Sequence, residues 1–258
     1  MNALAQAAER LRALHHGPEP LVLANAWDAA SAQSVVEAGF PAVATTSSGV
    51  SAALGYPDGE HTPADEMFAA VRRISHVVPT VPLTADIEAG YGLSAGELVD
   101  RLLEAGAVGC NLEDTDHALG GHGLTDPNKQ AERLRAVKSA AHARGVEIVL
   151  NARVDVFLRQ HDQPDAALEE AISRARLYLE AGADSMFPIG VADEATIAAL
   201  VAAIPAPINV IPGFRGAPTL ARLRELGVRR ISFAGRLHRA FLTDHQRRLA
   251  AIRDWQDI

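Results

Sequence analysis

Eight short apolar segments, each followed by a longer segment with apolar residues at helical spacing, constrain the fold of this chain more than any other feature. The segments predicted as strands are Leu21–Ala24, Ala42–Thr45, Leu83–Asp86, Val108–Leu112, Ile148–Asn151, Ser185–Phe187, Ile208–Ile211 and Arg230–Phe233. The segments predicted as helices are Ala29–Ala38, Pro63–Val77, Ala95–Ala105, Asn128–Ala143, Pro164–Ala181, Glu194–Ile204, Thr219–Leu226 and Leu237–Ile258. Strands that alternate with helices favour a parallel sheet, and eight such units favour closure. The sequence therefore predicts an α/β fold of the (β/α)8 TIM-type barrel class.

One domain is predicted for residues 1–258, because no Pro/Ser-rich linker or charged block divides the sequence. Residues 237–258 are predicted as a C-terminal helical extension of this barrel. The chain has 24 basic and 32 acidic residues, and its net charge of −8 argues against nucleic acid or an anionic membrane as a partner. It contains no apolar run of the ~18 residues that a transmembrane helix needs, so we expect a cytoplasmic protein.

Polar residues cluster where the predicted strands end, which is where TIM-barrel enzymes have their active sites. These residues are Asn25, Asp28, Ser47, Ser48, Gly49, Asp86, Glu88, Glu113, Asp114, Arg153, Asp155, Asn209, Gly235 and Arg236. Carboxylates dominate the middle of this set, with one arginine and several small hydrogen-bond donors around them. We therefore expect a site at this end of the barrel that binds a small, polar ligand.

Three of the carboxylates predict a metal site. Asp86 and Glu88 are two residues apart and so share one face of a strand, and Glu113 ends the next predicted strand. Carboxylates that are held close together repel one another unless a proton or a cation lies between them. Because these are hard oxygen ligands with no His or Cys beside them, Mg²⁺ or Mn²⁺ is expected rather than zinc.

Arg153 is the candidate that would bind an anionic substrate group, since a guanidinium can hold a carboxylate by two parallel hydrogen bonds. The alternative role for Arg153 is a structural bridge to one of the acids. The segment Thr45–Gly49 offers hydroxyl and backbone N–H groups to the same anion. Both features favour an anionic substrate.

An ordered set of motifs resembles the isocitrate lyase/phosphoenolpyruvate mutase superfamily, in its short single-domain branch. The motifs are Asn25-Ala26-Trp27-Asp28, Ser47-Ser48-Gly49, Leu54-Gly55-Tyr56-Pro57-Asp58, Asp86-Ile87-Glu88-Ala89-Gly90-Tyr91-Gly92, Asn111-Leu112-Glu113-Asp114 and Asn151-Ala152-Arg153-Val154-Asp155. They follow one another in the order that the superfamily has them.

This resemblance implies that Asp86 binds Mg²⁺ directly, and that Asp58, Glu88 and Glu113 hold it through water. A 2-oxo acid would chelate the metal and react through its enolate, which the metal stabilises as a Lewis acid. The residues expected to bind this substrate are Trp27, Ser47, Ser48, Gly49, Asp86, Arg153 and Asn209. Members of the superfamily typically form tetramers that exchange a C-terminal helix, so a homo-oligomer is expected.

The sequence departs from the superfamily's lyases in the loop that follows the fourth strand. Those lyases have Cys-Gly-His there, with the thiol as acid or base, whereas this chain has Gly120-Gly121-His122. The stretch Thr115–Pro127 also lacks the Lys and Asn of the phosphonate enzymes, and Phe187-Pro188-Ile189 lacks the Glu of the methylisocitrate lyases. His122 is therefore predicted as the proton donor, because a histidine titrates near neutral pH, and the alternatives are His117, Tyr91 or solvent.

The leading hypothesis is a magnesium-dependent, carbon–carbon-lyase-like enzyme that acts on a small 2-oxo acid as a lyase, decarboxylase or hydrolase. Its predicted catalytic residues are His122, Arg153 and Glu113. The alternatives are a non-catalytic 2-oxo-acid-binding protein that retains the metal site, and a phosphonopyruvate-type mutase or hydrolase. A Schiff-base aldolase is disfavoured, because Lys129 and Lys138, the only lysines, both fall on a predicted helix.

Overall fold

Parallel strands and helices alternate along the chain in a computed structural model that describes residues 3–117, 120, 123–159, 163–213, 216 and 218–257. The strands are β1 (Leu21–Leu23), β2 (Asn25–Ala26), β3 (Val43–Thr45), β4 (Leu83–Asp86), β5 (Gly109–Glu113), β6 (Thr115–Asp116), β7 (Gly123–Leu124), β8 (Val149–Val154), β9 (Ser185–Pro188), β10 (Asn209–Val210) and β11 (Arg230–Ser232). The helices are α1 (Ala3–His15), α2 (Ala29–Glu37), α3 (Ser47–Leu54), α4 (Ala64–Val77), α5 (Ala95–Glu104), α6 (Pro127–Ala143), α7 (Val156–Arg159), α8 (Pro164–Glu180), α9 (Glu194–Ala203), α10 (Leu220–Glu225) and α11 (Arg236–Arg253). Each of the eight predicted strands is present within a few residues of its expected ends.

The strands pair in two parallel sheets. Six strands form one sheet in the order β2-β3-β4-β5-β8-β9, and three form another in the order β1-β11-β10. A single parallel bridge between Met186 and Ile208 joins the two sheets on one side, and the consecutive segments β1 and β2 join them on the other. In the part of the chain that the structure describes, the strand order thus runs round a ring, but the hydrogen bonding does not close into one unbroken barrel.

Asn25 links the two sheets at the carboxyl ends of their strands. Its Oδ1 accepts the N–H of Phe233, which follows β11, at 2.7 Å, and its Nδ2 donates to the carbonyl of Thr45 in β3 at 2.8 Å. The side chain is buried, so these bonds are not exposed to competition from water. Asn25 therefore helps to hold together the end of the fold at which polar residues were predicted to meet.

Side-chain caps begin several of the helices that return from this end. Asp28 accepts the N–H of Ser31 at 2.7 Å, and the Ser31 hydroxyl accepts the N–H of Asp28, which makes a capping box at the start of α2. Ser94 and Glu97 form the same arrangement at the start of α5. Asp28 was predicted among the candidate functional residues, but its side chain is an N-cap.

Helix α1 covers the opposite, amino-terminal end of the strands. Leu11 is fully buried there, and a Cβ on Gly109 of β5 would lie only 2.7 Å from its Cδ2, so β5 needs a glycine at this position. Arg12 donates to the carbonyls of Glu147 and Ile148, at 2.9 and 3.2 Å. We refer to this end as the floor of the fold.

Helix α11 begins at Arg236, one residue before the C-terminal extension that the sequence predicts, and ends at Arg253. Large apolar side chains remain exposed along it and just beyond it, namely Phe241, Leu242, Leu249, Ile252 and Trp255. Among the described residues, no helix is both long and apolar enough to cross a membrane. The expected exchange of this helix between subunits stays a prediction.

Candidate active site

A cavity of about 240 Å³ opens at the carboxyl ends of the strands, where the sequence predicts the site. It is lined by Asn25, Thr46, Ser47, Ser48, Asp58, Asp86, Asn111, Arg153, Leu158, Phe187, Ile189, Ile211, Ser232, Ala234, Gly235, Arg236 and Arg239. Acidic, basic and apolar side chains thus share one small space. Such a mixture suits a small polar ligand that is held away from water.

Asp86, the last residue of β4, is fixed by donors on both of its carboxylate oxygens. Ser47 donates to Oδ2 from its backbone N–H at 3.1 Å and from its hydroxyl at 2.9 Å. Asn111 donates to Oδ1 from Nδ2 at 3.3 Å. The N–H of Asp86 in turn donates to the Thr45 hydroxyl at 2.9 Å, so both ends of the residue are held in place.

Helix α3 brings the predicted Ser47-Ser48-Gly49 segment to the cavity with its amino terminus first. Ser47 and Ser48 line the cavity, and the Ser48 hydroxyl lies 3.1 Å from that of Thr46. Gly49 faces away from it. A Cβ there would lie 2.7 Å from Thr46 Cγ2 and 3.0 Å from Trp27 Cβ, so Gly49 allows α3 to pack closely on its neighbours.

Glu88 follows β4 in the left-handed region, with φ of 50°. Its Oε2 accepts the N–H groups of Gly59 and Glu60 at 2.8 and 2.6 Å, and its Oε1 accepts the Tyr91 hydroxyl at 2.8 Å. Burial, followed by the nearby Asp58 carboxylate, raises the pKa of Glu88 to about 7. The Glu88 carboxylate thus fixes the loop at residues 59–60 beside the cavity. Glu88 itself does not line the cavity.

Glu113 ends β5 and is almost fully buried. Its Oε1 lies 2.8 Å from His117 Nε2, and its Oε2 forms an ion pair with Arg153 Nη1. Burial raises the pKa of Glu113 to about 7, and the hydrogen bond to Glu113 raises that of His117. The pKa of each of these two neighbouring residues is therefore raised. His122, predicted as the proton donor, lies outside the described residues.

The predicted metal ligands surround the cavity without meeting at one point. Asp58 and Asp86 line it, and the pKa of Asp58 is raised by loss of hydration and by the Asp86 carboxylate. Glu88 and Glu113 lie behind the wall with partners of their own. Within the described ranges, no group of three or more His, Cys, Asp or Glu side chains is arranged to hold a metal ion. Metal binding by these four carboxylates stays a prediction.

Arg153 lines the cavity, but its guanidinium group already binds two acidic side chains of the protein. Nε and Nη2 donate to the two oxygens of Asp155 at 2.7 and 2.6 Å, and Nη1 pairs with Glu113. Asp155 is fully buried, and its carboxylate also accepts the Thr115 hydroxyl at 2.5 Å. The expected two-bond contact with a substrate carboxylate is therefore not available to Arg153 as it stands. Arg153 thus makes the bridge between acids that its alternative role predicts, and its contact with a substrate stays a prediction.

Asp114 supports this bridge from behind. Its Oδ1 accepts the N–H of Asp155 at 2.9 Å, and its Oδ2 accepts the Tyr178 hydroxyl at 2.8 Å and Arg174 Nη1 at 3.1 Å. Burial, followed by the Asp155 charge, raises the pKa of Asp114 to about 6. These bonds tie the ends of β5 and β8 to α8, so Asp114 and Asp155 hold the wall of the cavity in place.

Besides Gly49, two predicted substrate-binding residues, Trp27 and Asn209, lie outside the cavity lining. The Trp27 ring packs against His238 and Phe241 of α11, with ring centroids 4.9 and 5.7 Å apart. Asn209 is fully buried and exchanges hydrogen bonds with Ser232, at 3.1 and 3.2 Å. Both residues support the walls, and direct contact of either with a substrate stays a prediction.

Arg239 is the charged lining residue that the sequence analysis missed, and Arg236, one of the predicted polar residues, lies beside it. Both belong to the first turn of α11. Gly235 allows the start of α11 to pack closely against Ser48. A Cβ at this position would lie 2.5 Å from Ser48 Oγ and 3.0 Å from Arg239 Nη1. In the described part of the chain neither arginine has a salt-bridge partner, so both guanidinium groups remain available to an anion. Two arginines three residues apart at a strand end are the signal that could have found them.

A parallel α/β fold with a mixed polar cavity at the carboxyl ends of its strands belongs to the class in which TIM-barrel enzymes build active sites. The family model of phosphoenolpyruvate phosphomutase matches residues 11–253. The chain therefore belongs to the phosphoenolpyruvate mutase family, within the isocitrate lyase/phosphoenolpyruvate mutase superfamily that its motifs predict.

Relatives in this superfamily are lyases and mutases that act on small acids. An uncharacterized protein of Mycobacterium tuberculosis is 37% identical over 85% of this chain and 79% of its own length. The 2-methylisocitrate lyase of Salmonella typhimurium is 32% identical over 72% of this chain, which spans 63% of that enzyme. The structure of oxaloacetate acetylhydrolase with its product oxalate has a TM-score of 0.86 and 26% identity over 97% of this chain and 88% of that one. This likeness confirms the predicted TIM-type barrel class.

Proposed function

We propose that this chain is a Mg²⁺-dependent enzyme that acts on a small 2-oxo acid through its enolate, as a carbon–carbon lyase, decarboxylase or hydrolase. One observation carries the proposal. The Asp86 carboxylate shares a cavity of about 240 Å³ with the guanidinium groups of Arg236 and Arg239. A metal held at Asp86 and two cations on α11 would together bind a small dicarboxylate at both ends.

The donor set fits a hard divalent cation. Asp86 is the one carboxylate that both lines the cavity and is fixed in orientation, so it would be the direct ligand. Asp58, Glu88 and Glu113 have raised pKa values, which a nearby cation would lower again. Because Mg²⁺ commonly keeps several waters and one or two carboxylates, these three would hold it through water.

When bound, the metal would supply Lewis-acid stabilisation of the enolate. The chain's own side chains would bind the substrate and exclude water. Arg236 and Arg239 would bind the carboxylate farther from the metal, where each can donate two parallel hydrogen bonds. The apolar side chains that line the cavity would exclude water from the reacting carbon, namely Leu158, Phe187, Ile189 and Ile211.

We assign proton transfer to one of two histidines, His117 or His122. His117 Nε2 is held by Glu113, and its raised pKa favours the protonated form near neutral pH, as a proton donor requires. His122 is the second candidate, because it follows the position at which the superfamily's lyases carry the missing thiol. His117→Asn and His122→Asn single variants would show which of them transfers the proton.

The size of the cavity favours a four-carbon 2-oxo acid over a tricarboxylate. Its volume of about 240 Å³ lies below the usual range of about 300–1,000 Å³ for ligand pockets. Phe187 and Ile189 also present an apolar wall, so a third carboxylate would be buried there without a partner. Oxaloacetate and its close analogues are therefore the preferred substrates of this proposal.

The test is turnover of a panel of acids by the purified protein, with Mg²⁺ and with EDTA. The panel contains oxaloacetate, 2,3-dimethylmalate, 2-methylisocitrate and phosphonopyruvate. We expect one of the small dicarboxylates to be turned over with Mg²⁺, with loss of activity in EDTA and in Asp86→Ala. Glu37→Ala is the matched control, because this exposed acid ends α2 at the floor of the fold.

Each alternative has its own result in this experiment. Turnover of phosphonopyruvate alone would replace the proposal by a phosphonate mutase or hydrolase. Metal-dependent binding of the acids without turnover of any of them would favour the non-catalytic binding protein. Equal turnover with EDTA and with Mg²⁺ would contradict the metal-dependent mechanism.

A further inference from the structure

A row of polar side chains crosses four neighbouring strands inside the fold and ends at Asp86. Ser185 Oγ donates to Asn151 Oδ1 at 2.7 Å, and Asn151 Nδ2 donates to Asn111 Oδ1 at 2.8 Å. Asn111 Nδ2 then donates to Asp86 Oδ1 at 3.3 Å. These residues are direct neighbours in the pairing of β9, β8, β5 and β4. Every hydrogen bond of this polar row is donated towards Asp86.

A buried arginine joins the polar row from the floor. Arg230 of β11 is 1% exposed, and its Nη2 donates to Asn111 Oδ1 at 3.2 Å. Its Nη1 lies 3.0 Å from His15 Nε2. The other ring nitrogen of His15 lies 2.7 Å from the Leu11 carbonyl and so carries the proton, which leaves Nε2 as an acceptor. Within the described residues, Arg230 makes no salt bridge.

The chemistry of the guanidinium fixes the orientation of the Asn111 amide. Arginine has only donors, so the Asn111 atom that faces Arg230 has to be the oxygen. The amide nitrogen of Asn111 must then face Asp86, where an ionised carboxylate can only accept. The Asn111 amide thus separates the Arg230 guanidinium from the Asp86 carboxylate. It cannot rotate by 180° without losing its contacts with both residues.

This arrangement suits a carboxylate that has to bind a cation. A direct Arg–Asp salt bridge would occupy the carboxylate oxygens with a fixed, competing charge. A bridging amide uses one lone pair of Oδ1 and leaves the other free, while the positive charge of Arg230 stays one side chain away from the carboxylate. Burial lowers the pKa of Arg230 to about 10, so the guanidinium remains charged at neutral pH.

We propose that Arg230 is a positioning residue for Asp86, and that it acts through the oriented amide of Asn111 to prepare the carboxylate for a divalent cation. This inference rests on the proposed function in one respect only, namely that Asp86 binds the metal. Arg230 itself lies below the cavity and is not among its lining residues, so it does not contact the substrate.

The test is Mn²⁺ binding by the full-length protein without substrate, measured by electron paramagnetic resonance. Loss of a residue that orients a metal ligand typically costs about 10–100-fold in metal affinity, so Arg230→Met and Asn111→Ala should each weaken Mn²⁺ binding about tenfold or more. Because both act through one contact, the double variant should be no weaker than the stronger single variant. Arg230→Lys, which keeps a donor and the charge, should recover part of the affinity.

Arg12→Met is the matched control, since this floor arginine bonds to Asp184 and to carbonyl groups but not to the polar row. It should bind Mn²⁺ as the wild type does. If Arg230→Met does not fold, Asn111→Ala and Ser185→Ala carry the test, and Ser185→Ala should have the smaller effect because it lies two hydrogen bonds farther from Asp86.

Two failures can be told apart. If the wild type binds no Mn²⁺, or binds it equally well in Asp86→Ala, the metal site of the proposed function is wrong. If Asp86→Ala abolishes binding while Arg230→Met and Asn111→Ala bind Mn²⁺ like the wild type, the metal site stands and the positioning role is overturned. Additive effects of the two substitutions would also overturn it.

Discussion

Arg153 and Arg239 line the same cavity, but their surroundings give them different roles. Arg153 is engaged by Asp155 and Glu113, two buried acids that would lose their ion pair with a guanidinium without it. Arg239 is exposed, and no acid within the described residues pairs with it. The arginine that the sequence selects as the anion binder therefore bridges two acids, whereas the one that it overlooks has no acidic partner among the described residues.

This difference predicts opposite results for two matched substitutions. Arg153→Met should lower the free energy of unfolding by about 3–5 kcal/mol, because it strands buried charges. Arg239→Met should leave that quantity unchanged and should weaken oxalate binding by about 1.5–3 kcal/mol, the range for hydrogen bonds to charged groups. Urea denaturation and calorimetric titration measure the two effects. A stable Arg153→Met protein with weakened oxalate binding would restore Arg153 as the ligand-binding arginine.

Glu88 gives the metal-free protein a pH dependence of stability. Its pKa of about 7 in the folded state lies above the ordinary 4.5, so the folded state holds the proton more tightly than the unfolded chain does. Stability in EDTA should therefore fall as pH rises from about 5 to 7. Glu88→Gln should reduce this fall in the melting temperature, and the exposed Glu37→Gln should not. If the melting temperatures of the wild type and Glu88→Gln fall equally as pH rises across this range, the raised pKa of Glu88 is contradicted.

At the scale of single elements, α3 shows how packing sets the position of a cavity wall. Gly49 lies in the helix, where alanine would ordinarily be favoured, yet a Cβ there would meet Thr46 and Trp27 at 2.7 and 3.0 Å. Gly96 in α5 is the matched control, because the nearest atom to its Cβ would be 3.6 Å away.

Gly49→Ala should destabilise the protein by about 1–3 kcal/mol through overpacking, and should displace Ser47 from Asp86. Gly96→Ala should be neutral or stabilising by up to about 1 kcal/mol. Thermal unfolding compares the two variants, and the Mn²⁺ affinity of Gly49→Ala reports the position of Ser47. Equal melting temperatures for the two variants would show that α3 can shift without cost.

Local sequence patterns predict the strands and helices well. They predict less well which groups the residues at the ends of these elements bond to. The bounds of β4 follow from the sequence because an apolar run ends there at a charged residue. Asp28 was mistaken for a functional residue because a short acid between a strand and a helix has the same appearance whether it caps the helix or lines a site. Likewise, no spacing rule shows that Glu88 bonds to the loop at residues 59–60.

At the scale of the whole molecule, alternation of strands and helices predicts the barrel class, and comparison with solved structures confirms it. What alternation does not predict is which side chains meet across the ring. Arg239 comes more than 150 residues after Asp86 in the sequence, and they share a cavity only because the last strand pairs with the first. Arg230 reaches Asn111 for the same reason. Contacts across the ring depend on closure and side-chain length, which local periodicity does not encode.

The most direct test of the central claim is calorimetric titration with oxalate, a planar mimic of the pyruvate enolate. With Mg²⁺ present, the wild type should bind oxalate, and EDTA should remove this binding, because the ligand would chelate a metal held at Asp86. Asp86→Ala should not bind oxalate under either condition, whereas Glu37→Ala should bind it like the wild type. Oxalate affinity that is unchanged by EDTA, or retained in Asp86→Ala, would contradict the account.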